Sequence, residues 1–200
     1  WDRGLKNSLE NLKDIKFSNN IVISSYRPFC KQNLYFDKEL NAMMYQNTKL
    51  FPDNNTKNII ICISSVGSNN GLSLLITNCI ANLHYNGDTQ CFPLFYFEER
   101  PKQAIGLFDE DGDSKYIRRD GVSDFILEQS KNQFGKSLTK EDIFYYVYGI
   151  LHNMEYRVLF ASDLKKMLPR LPLVEDVKDF WKFSKAGRAL ADLHINYETV

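Results

Sequence analysis

The segment TKEDIFYYVYGILH at residues 139–152 decides the fold class most clearly, because it combines a helix start with an apolar helical face. Thr139 can accept a hydrogen bond from the amide of Asp142, and Asp142, a shorter stand-in for the usual Glu, can reach back to the N-cap. Apolar side chains then recur at helical spacing, at Ile143, Tyr146, Val147, Ile150 and Leu151. The segment therefore predicts a capped helix with one face to bury.

Working outward, the pattern predicts three further helices, at residues 122–133, 154–168 and 176–195. Pro169 and Pro172 end the second of these and begin a stiff connector, since proline cannot continue a helix. The C-terminal half is therefore predicted to be helical.

The N-terminal half carries a different pattern, in which short β-branched and aromatic runs alternate with Asn, Asp, Gly and Pro clusters. These runs predict strands at residues 21–25, 34–36, 58–64 and 92–97. The run at 72–84 is ambiguous, but its apolar residues fit one helical stripe and we interpret it as a helix.

The predicted fold class is α+β, with a strand-rich N-terminal half that contains a mixed sheet and a helical C-terminal half. Residues 1–100 form the predicted sheet-containing part and residues 122–200 the helical part. The polar residues 101–121 are interpreted as a connector between them. The alternative that both parts form one continuous domain stays open.

Composition excludes several classes of protein. The chain is 44% hydrophobic and 25% charged, with 25 basic and 25 acidic residues, so its formal net charge is zero. It lacks the strong positive charge of a free-standing nucleic-acid binder, and any phosphate binding must come from local patches. Its longest apolar runs are far below the roughly 18 residues that span a bilayer, and no signal peptide opens it, so no membrane partner is expected.

Sequence motifs for catalysis and metal binding fail on inspection. Four isolated cysteines and three distant histidines predict no metal site, and the cysteines are interpreted as free thiols in a reducing compartment. The tripeptide Gly135-Lys136-Ser137 lacks the glycine five positions earlier that a phosphate-binding loop needs, so it is interpreted as a helix end. Residues 109–120 resemble a calcium loop but lack its central glycine and its final glutamate. We find no hydrolase triad and no adenine-methyltransferase tetrad, and we predict no catalytic residue here.

Polar and cationic residues remain as binding candidates. The loop of residues 64–71, SSVGSNNG, follows an apolar strand and is rich in groups that hydrogen-bond base edges, although such loops are usually only turns. Lys115, Arg118 and Arg119 form a basic cluster that is either solvated surface or a phosphate contact. A second cluster, at Arg157, Lys165, Lys166 and Arg170, is interpreted mainly as favourable charge near a helix C-terminus.

Several strings in order resemble one known family. They are YRPF at 26–29, LYFD at 34–37, CFPLFY at 91–96, RRDGVSDF at 118–125, EDIFYYVYGILH at 141–152, LPRLP at 168–172 and AGRALADLH at 186–194. Together they resemble the C-terminal region of single-chain type ISP restriction-modification enzymes, also described as predicted helicases. The resemblance spans nearly the whole chain.

The resemblance implies that this chain is the last part of a long polypeptide with a nuclease, an ATP-dependent translocase and an adenine methyltransferase. A start at Trp1, without methionine, agrees with a piece of something longer. The parent would be a restriction endonuclease of the bacterial cytoplasm that uses ATP, Mg and S-adenosylmethionine, none of them bound by this fragment. The family's catalytic motifs lie upstream of the matched region, so no catalytic residue is carried over.

The leading hypothesis is therefore a target recognition domain that reads a short double-stranded DNA sequence for the upstream domains. Ser68, Asn69 and Asn70 are the predicted base-reading residues, because an Asn side chain suits the paired donor and acceptor of adenine. The predicted phosphate contacts are Lys31, Lys115, Arg118 and Arg119.

Two alternatives stay open. One is a scaffold domain that packs its aromatic helices on the methyltransferase without reading DNA, and the other is an independent enzyme with a site between the halves. Salt dependence separates the leading hypothesis from the scaffold alternative, since phosphate contacts give a steep salt slope and a dry apolar interface does not.

Overall fold

The structure is a computed structural model that describes residues 3–12, 14, 18–66, 71–101 and 115–199. Its helices are α1 (Arg3–Glu10), α2 (Asn47–Leu50), α3 (Asp124–Phe134), α4 (Lys140–His152), α5 (Met154–Leu159), α6 (Ala161–Leu164) and α7 (Val177–Ile195), with a 3-10 turn at Tyr197–Thr199. Its strands are β1 (Ile21–Arg27), β2 (Cys30–Tyr35), β3 (Ile60–Ile63), β4 (Leu74–Thr77), β5 (Ile80–Ala81), β6 (Gln90–Pro93), β7 (Phe95–Glu99) and β8 (Tyr116–Asp120). All eight described strands precede α3 to α7 along the chain, which confirms the predicted α+β class.

The central layer is an antiparallel sheet in the order β4-β3-β6. Every residue of β3 and β4 is buried, so this sheet is covered on both faces. Ile61 and Ile63 belong to the core shared with the helices, whereas Ile60 and Cys62 point to the opposite side. The uninterrupted apolar run at 59–63 therefore contains a strand, Ile60–Ile63, that is buried on both faces.

A second, mixed sheet in the order β2-β1-β5 covers one face of the central sheet. Strand β1 is antiparallel to β2 and parallel to β5. The residues Ile80, Ala81 and Tyr85 pack with Ile60 and Cys62 in a small hydrophobic core. The predicted mixed sheet is thus part of the structure.

The helices cover the other face of the central sheet, and α4 is the centre of this layer. Its capping box is formed as predicted: Asp142 N donates to Thr139 Oγ1 over 3.2 Å, and Thr139 N donates to Asp142 Oδ2 over 3.0 Å. Tyr146 stacks on Phe180 of α7 at 4.8 Å between ring centroids, and its hydroxyl donates to Pro172 O over 2.6 Å. The aromatic face of α4 is therefore core.

The prediction of a helix at 72–84 is wrong, because this segment forms β4 and β5. A continuous apolar run fits a buried strand as well as a helix, and pairing of Leu74 with Ile63 and of Ile76 with Ile61 settles the choice.

Two other predicted elements are each divided. The strand predicted at 92–97 is divided at Leu94 into β6 and β7, which belong to different sheets. The helix predicted at 154–168 is divided at Phe160 into α5 and α6, and residues 165–176 are not helical.

Two observations bear on the predicted division of the chain into a sheet part, a connector and a helical part. One hydrophobic core joins Ile61, Ile76 and Leu94 from the sheet part to Phe144 and Tyr148 from the helical part. Strand β8 lies within residues 101–121, where we predict a polar connector, while residues 102–114 lie outside the described part. This short charged segment forms a strand because it pairs with β7. The aliphatic parts of its arginine side chains can lie along the sheet.

Candidate nucleic-acid interface

The loop of residues 64–71, proposed from the sequence to read bases, leaves the end of β3 and returns to β4. Its predicted base-reading residues Ser68, Asn69 and Asn70 lie outside the described residues. Both ends of the loop are tied together: Ser64 Oγ donates to Gly71 O over 3.1 Å, and Ser73 N donates to Ser64 Oγ over 3.0 Å. Gly71 has a positive φ of 71°, which glycine adopts without strain. The first and last residues of the loop are therefore held together by hydrogen bonds.

The helical half supports the returning end of this loop. Arg157 of α5 donates from Nη2 to Leu72 O over 2.6 Å. Residues around Leu164, Lys165 and Leu168 face Ser64 and Gly71 across a narrow crevice. The structure thus brings the basic segment of residues 157–170 against the loop, a meeting of two sequence candidates that the sequence analysis left apart.

Lys31 of β2 has structural partners instead of a free ammonium group. Its Nζ donates to Ile195 O over 3.0 Å and lies 3.5 Å from Glu198 Oε2, and its side chain is only 20% exposed. The ammonium group also lies over the Tyr197 ring, 5.1 Å from the ring centroid. Lys31 therefore fastens the C-terminal end of α7 to β2, and we leave it out of the DNA surface.

The other predicted phosphate contacts lie on the two-stranded β7-β8 ribbon. Arg118 is paired across the ribbon with Phe97 and Arg119 with Tyr96, so the two arginines point to opposite faces. The Arg118 guanidinium lies over the Phe95 ring at 4.4 Å, and Arg119 Nε bonds Glu98 Oε2 at 3.1 Å. One face of the ribbon thus presents a stacked arginine and the other an arginine paired with a carboxylate.

Lys115 lies at the far end of the same ribbon. Its Nζ is 3.4 Å from Glu99 Oε1, and its side chain is 70% exposed. Hydrogen bonding to Tyr116 and to Glu99 raises the pKa of Lys115, so it stays fully charged near neutral pH. A surface ion pair of this kind contributes little stability and can be exchanged for another anion.

The loop and the ribbon leave the central sheet at opposite ends. Ser64 follows Ile63 at one end of β3, whereas Leu94 N donates to Ile59 O at the other end, where β7 begins. Four strand residues, on the order of 13 Å, separate these ends. The described ends of the loop and the arginines of the ribbon therefore lie at opposite ends of the central sheet.

A cleft of about 1050 Å³ opens between the two halves at the ribbon end. Its charged lining consists of Lys57, Lys185, Arg188, Glu141 and Asp192. Arg188 is occupied, because it pairs with Glu141 at 2.8 Å and stacks over Tyr145 at 4.1 Å. With its cations and carboxylates nearly balanced, the cleft has neither a nucleophile beside a base nor a strong charge for an anionic substrate.

A buried aromatic and thiol cluster lies beside α4, and it could not be predicted from the sequence because its histidines are 42 residues apart. Tyr148 and His194 share a hydrogen bond of 2.6 Å, and the His152 ring lies 5.8 Å from that of His194. Burial, aided by His194 and Arg157, lowers the pKa of His152 to about 4, and burial lowers that of His194. Both rings are therefore neutral at pH 7.

Two thiols lie near this cluster. Cys62 and Cys91 are direct cross-strand partners whose Sγ atoms are 3.9 Å apart. Burial raises the pKa of Cys62, so its thiol stays protonated. In the described residues no cysteine is hydrogen-bonded to a histidine, and the arrangement is that of a packed core.

The two motifs that the sequence analysis rejected are the Gly-Lys-Ser tripeptide and the calcium-like segment. Gly135 ends α3 with a φ of 113°, and its N–H donates to Lys131 O over 3.1 Å, so the Gly-Lys-Ser tripeptide is a helix end. Of the calcium-like segment, Asp120 bonds Lys140, and Asp109, Asp111 and Asp113 lie outside the described residues. The described part of the chain contains no group of three or more His, Cys, Asp or Glu side chains placed to hold a metal ion. Within it, none of the helices combines the length and hydropathy needed to traverse a bilayer.

Three solved structures are similar to this chain. In a cryo-EM structure of a DrdV–DNA complex, the matched region is 30% identical in sequence to this chain, with a TM-score of 0.81. The match covers 94% of this chain and 17% of that one. The ATP-dependent type ISP restriction-modification enzyme LlaBIII bound to DNA is 28% identical with a TM-score of 0.80, over 100% of this chain and 12% of that one. A nuclease-deletion mutant of the type ISP enzyme LlaGI, in complex with a DNA substrate mimic, is 34% identical with a TM-score of 0.75, over 100% and 16%.

The chain thus spans less than a fifth of the length of each of these proteins. Among the curated proteins, no match was found. The model of the family described as the Type ISP C-terminal specificity domain matches residues 1–200. With the whole chain covered by that model, the protein belongs to the Type ISP C-terminal specificity domain family.

Proposed function

We propose that this chain is the DNA target recognition domain of a type ISP-like restriction-modification enzyme. It reads a short double-stranded DNA sequence and directs methylation and ATP-dependent cleavage by other domains of the same polypeptide. The observation that carries this proposal is the specificity-domain match over residues 1–200, supported by similar structures of enzymes in complex with DNA.

The loop of residues 64–71 is the proposed reader of base edges. Its ends are bonded to each other and held by Arg157, so the four residues from Gly67 to Asn70 start from a fixed base. Ser68, Asn69 and Asn70 bring hydroxyl and amide groups, and a good bidentate contact to a base is worth about 1–3 kcal/mol of discrimination. Replacing Asn69 and Asn70 by Ala is expected to relax or abolish target choice, and an unchanged methylation motif would remove the loop from the proposal.

The parent polypeptide supplies what this chain lacks. We propose that its other domains bind ATP, Mg²⁺ and S-adenosylmethionine, and that they contribute the nuclease, translocase and adenine methyltransferase activities. Because a restriction-modification enzyme acts on cellular and invading DNA, we place it in the bacterial cytoplasm. The net charge of zero also fits a domain whose electrostatic attraction to DNA comes partly from the rest of a larger enzyme.

A second candidate function, as a scaffold that packs on the methyltransferase, is favoured by one apolar surface. Met154, Val158 and Leu159 of α5 are 67%, 71% and 76% exposed. Exposed apolar side chains that lie together mark surfaces for protein contacts. This role could exist beside DNA reading or replace it.

An exchange of domains in the parent enzyme separates the two functions. Cells would express the parent enzyme with and without residues 1–200 replaced by the matching region of a relative with another specificity, and the methylated motif would be mapped across the genome. We expect the motif to follow the exchanged segment. An active chimera that keeps the original motif would show that this chain is a scaffold and that another domain reads the sequence.

A further inference from the structure

The surface beside the loop of residues 64–71 is more basic than the sequence positions of its parts indicate. The basic segment of residues 157–170 carries four cationic side chains, at Arg157, Lys165, Lys166 and Arg170, and one carboxylate, Asp163. It lies against the ends of the loop through the crevice between Lys165 and Ser64 and through the Arg157 hydrogen bond.

The cations of this segment differ in what they already contact. Arg157 is occupied by Leu72 O, whereas Lys165, Lys166 and Arg170 make no ion pair with any described residue, and all three are exposed. A charge that only completes a helix terminus should lie in the last turn of a helix. Helix α6 ends at Leu164, so Lys166 and Arg170 follow the helix and lie beyond its last turn.

The chain segment that carries the loop contains no carboxylate. Residues 54–87 contain no Asp or Glu. Asp88 immediately follows this segment, next to Gly87, whose carbonyl accepts from Ser65 N over 3.2 Å. Asp88 is engaged with His84 Nδ1 at 3.1 Å. Lys165 lines the crevice beside Ser64 and Gly71, and Lys166 and Arg170 lie within five residues of Lys165 along the chain.

From this placement we infer that Lys165, Lys166 and Arg170 bind the phosphate backbone of the DNA that the loop reads. The inference rests on the proposed function and adds phosphate contacts beside the loop, because Lys31 is occupied elsewhere and the ribbon lies at the other end of the central sheet. The Arg157 bond fixes the segment relative to the loop. Phosphate contacts made here therefore set the register of the base contacts made by the loop.

The test uses the full-length parent enzyme and measures its affinity for cognate and non-cognate duplexes over a range of salt concentrations. The triple variant Lys165→Gln, Lys166→Gln, Arg170→Gln is expected to flatten the plot of log affinity against log salt by about 2 to 3 for both duplexes. The methylated motif should stay the same. The double variant Lys165→Gln, Lys166→Gln should give about two-thirds of that change.

A matched control removes the same number of charges elsewhere. Lys38, Lys136 and Lys178 are also exposed and without an ion pair in the described residues, and their triple replacement by Gln should leave the slope within about 0.5 of the parent value. A normal slope in the first triple variant, or equal flattening in the control, would overturn the inference. If the exchanged-domain experiment also leaves the motif unchanged, the proposed function fails as well, and the two failures are thereby distinguished.

Discussion

At the scale of single residues, two glycines set the distance between the main helices. A Cβ on Gly149 of α4 would lie 2.2 Å from Phe183 O, and one on Gly187 of α7 would lie 2.0 Å from Tyr145 O. Both obstacles are backbone atoms, which cannot move aside as a flexible side chain can. The two helices therefore pack backbone against backbone at this crossing.

Gly187→Ala is expected to force α4 and α7 apart and to destabilise the domain by about 3 kcal/mol, the upper end of the usual cost of overpacking. Hydrogen exchange of peptides from both helices in the purified protein would measure this loss. Ala186→Ser, at an exposed neighbouring position of the same helix, serves as the control and should change exchange little. Unchanged protection in Gly187→Ala would show that the crossing is looser than described.

The neutral histidines of the buried cluster predict a dependence of stability on acid. The pKa of His152 is about 4 in the folded chain and near 6.5 when unfolded, so the unfolded state takes up a proton first as the pH falls. Stability is therefore full above about pH 6.5 and is lost as the pH falls toward 4. After discounting for partial exposure we expect a loss of about 1 kcal/mol between pH 7 and pH 5.

Hydrogen exchange of α4 at pH 7 and pH 5, corrected for the intrinsic exchange rate, would measure this loss. His152→Phe keeps an aromatic ring against Tyr148, with which His152 makes an edge contact at 4.7 Å, and removes the titrating group. The variant should be less sensitive to acid than the parent. Equal sensitivity would assign the effect to other groups.

At the scale of elements, the register of the β7-β8 ribbon supports a prediction that could not be made from the sequence alone. Two adjacent arginines in a basic cluster suggest that both contact the same ligand, but in a strand Arg118 and Arg119 point to opposite faces. If the ribbon contacts a duplex, it presents one face to it. The single variants Arg118→Gln and Arg119→Gln are therefore expected to weaken DNA binding unequally, with one flattening the salt slope by about 1 and the other by much less.

The measurement is the salt dependence of binding by each variant in the full-length enzyme, on cognate and non-cognate duplexes. A loss confined to the cognate duplex would contradict a phosphate contact. Equal flattening by both variants would mean that both faces of the ribbon meet DNA.

Local signals explain which elements the sequence could predict. Helix α4 was found because Thr139 and Asp142 form its cap within four residues and its apolar positions repeat at helical spacing. The segment at 72–84 was mistaken because the pairing of Leu74 with Ile63 and of Ile76 with Ile61 decides it, and no local pattern reports that pairing. The break between β6 and β7 is likewise set by a distant residue, since Gly121 N donates to Leu94 O over 2.7 Å.

At the scale of the whole molecule, one core joins the sheet and helical parts. Ile61 is 2% exposed and belongs to the same cluster as Phe144 and Tyr148. Ile61→Ala is expected to cost about 2–5 kcal/mol, and hydrogen exchange should rise in α4 and α7 as well as in β3. Ile23→Ala, at a position 50% exposed on β1, should cost less than about 1 kcal/mol. Faster exchange confined to the strands would show that the two parts unfold separately.

The candidate site follows the same rule as the elements. Composition and order of motifs led from the sequence to the loop of residues 64–71 and to the arginines of the ribbon. The contact between Leu72 and Arg157 joins residues 85 apart in the chain, and no spacing rule predicts it. Nor could the sequence show that Lys31 is held by Ile195 and Glu198, because that depends on where the last helix ends.

Because Ser64 Oγ donates to Gly71 O, the residues between the two ends of the proposed reading loop can be exchanged with little effect on the fold. The Ser64–Gly71 hydrogen bond, the β3-β4 pairing and the Arg157 hydrogen bond hold the flanking backbone, so we expect substitutions at residues 67–70 to change stability little. Loop-closure entropy rises only slowly with length, by about 0.6 kcal/mol per doubling. A library randomised at residues 67–70, or lengthened there by a few residues, should therefore yield mostly folded enzymes. Such a library offers a route to new recognition sequences by selection, and one by which natural relatives could diverge in target while sharing a scaffold.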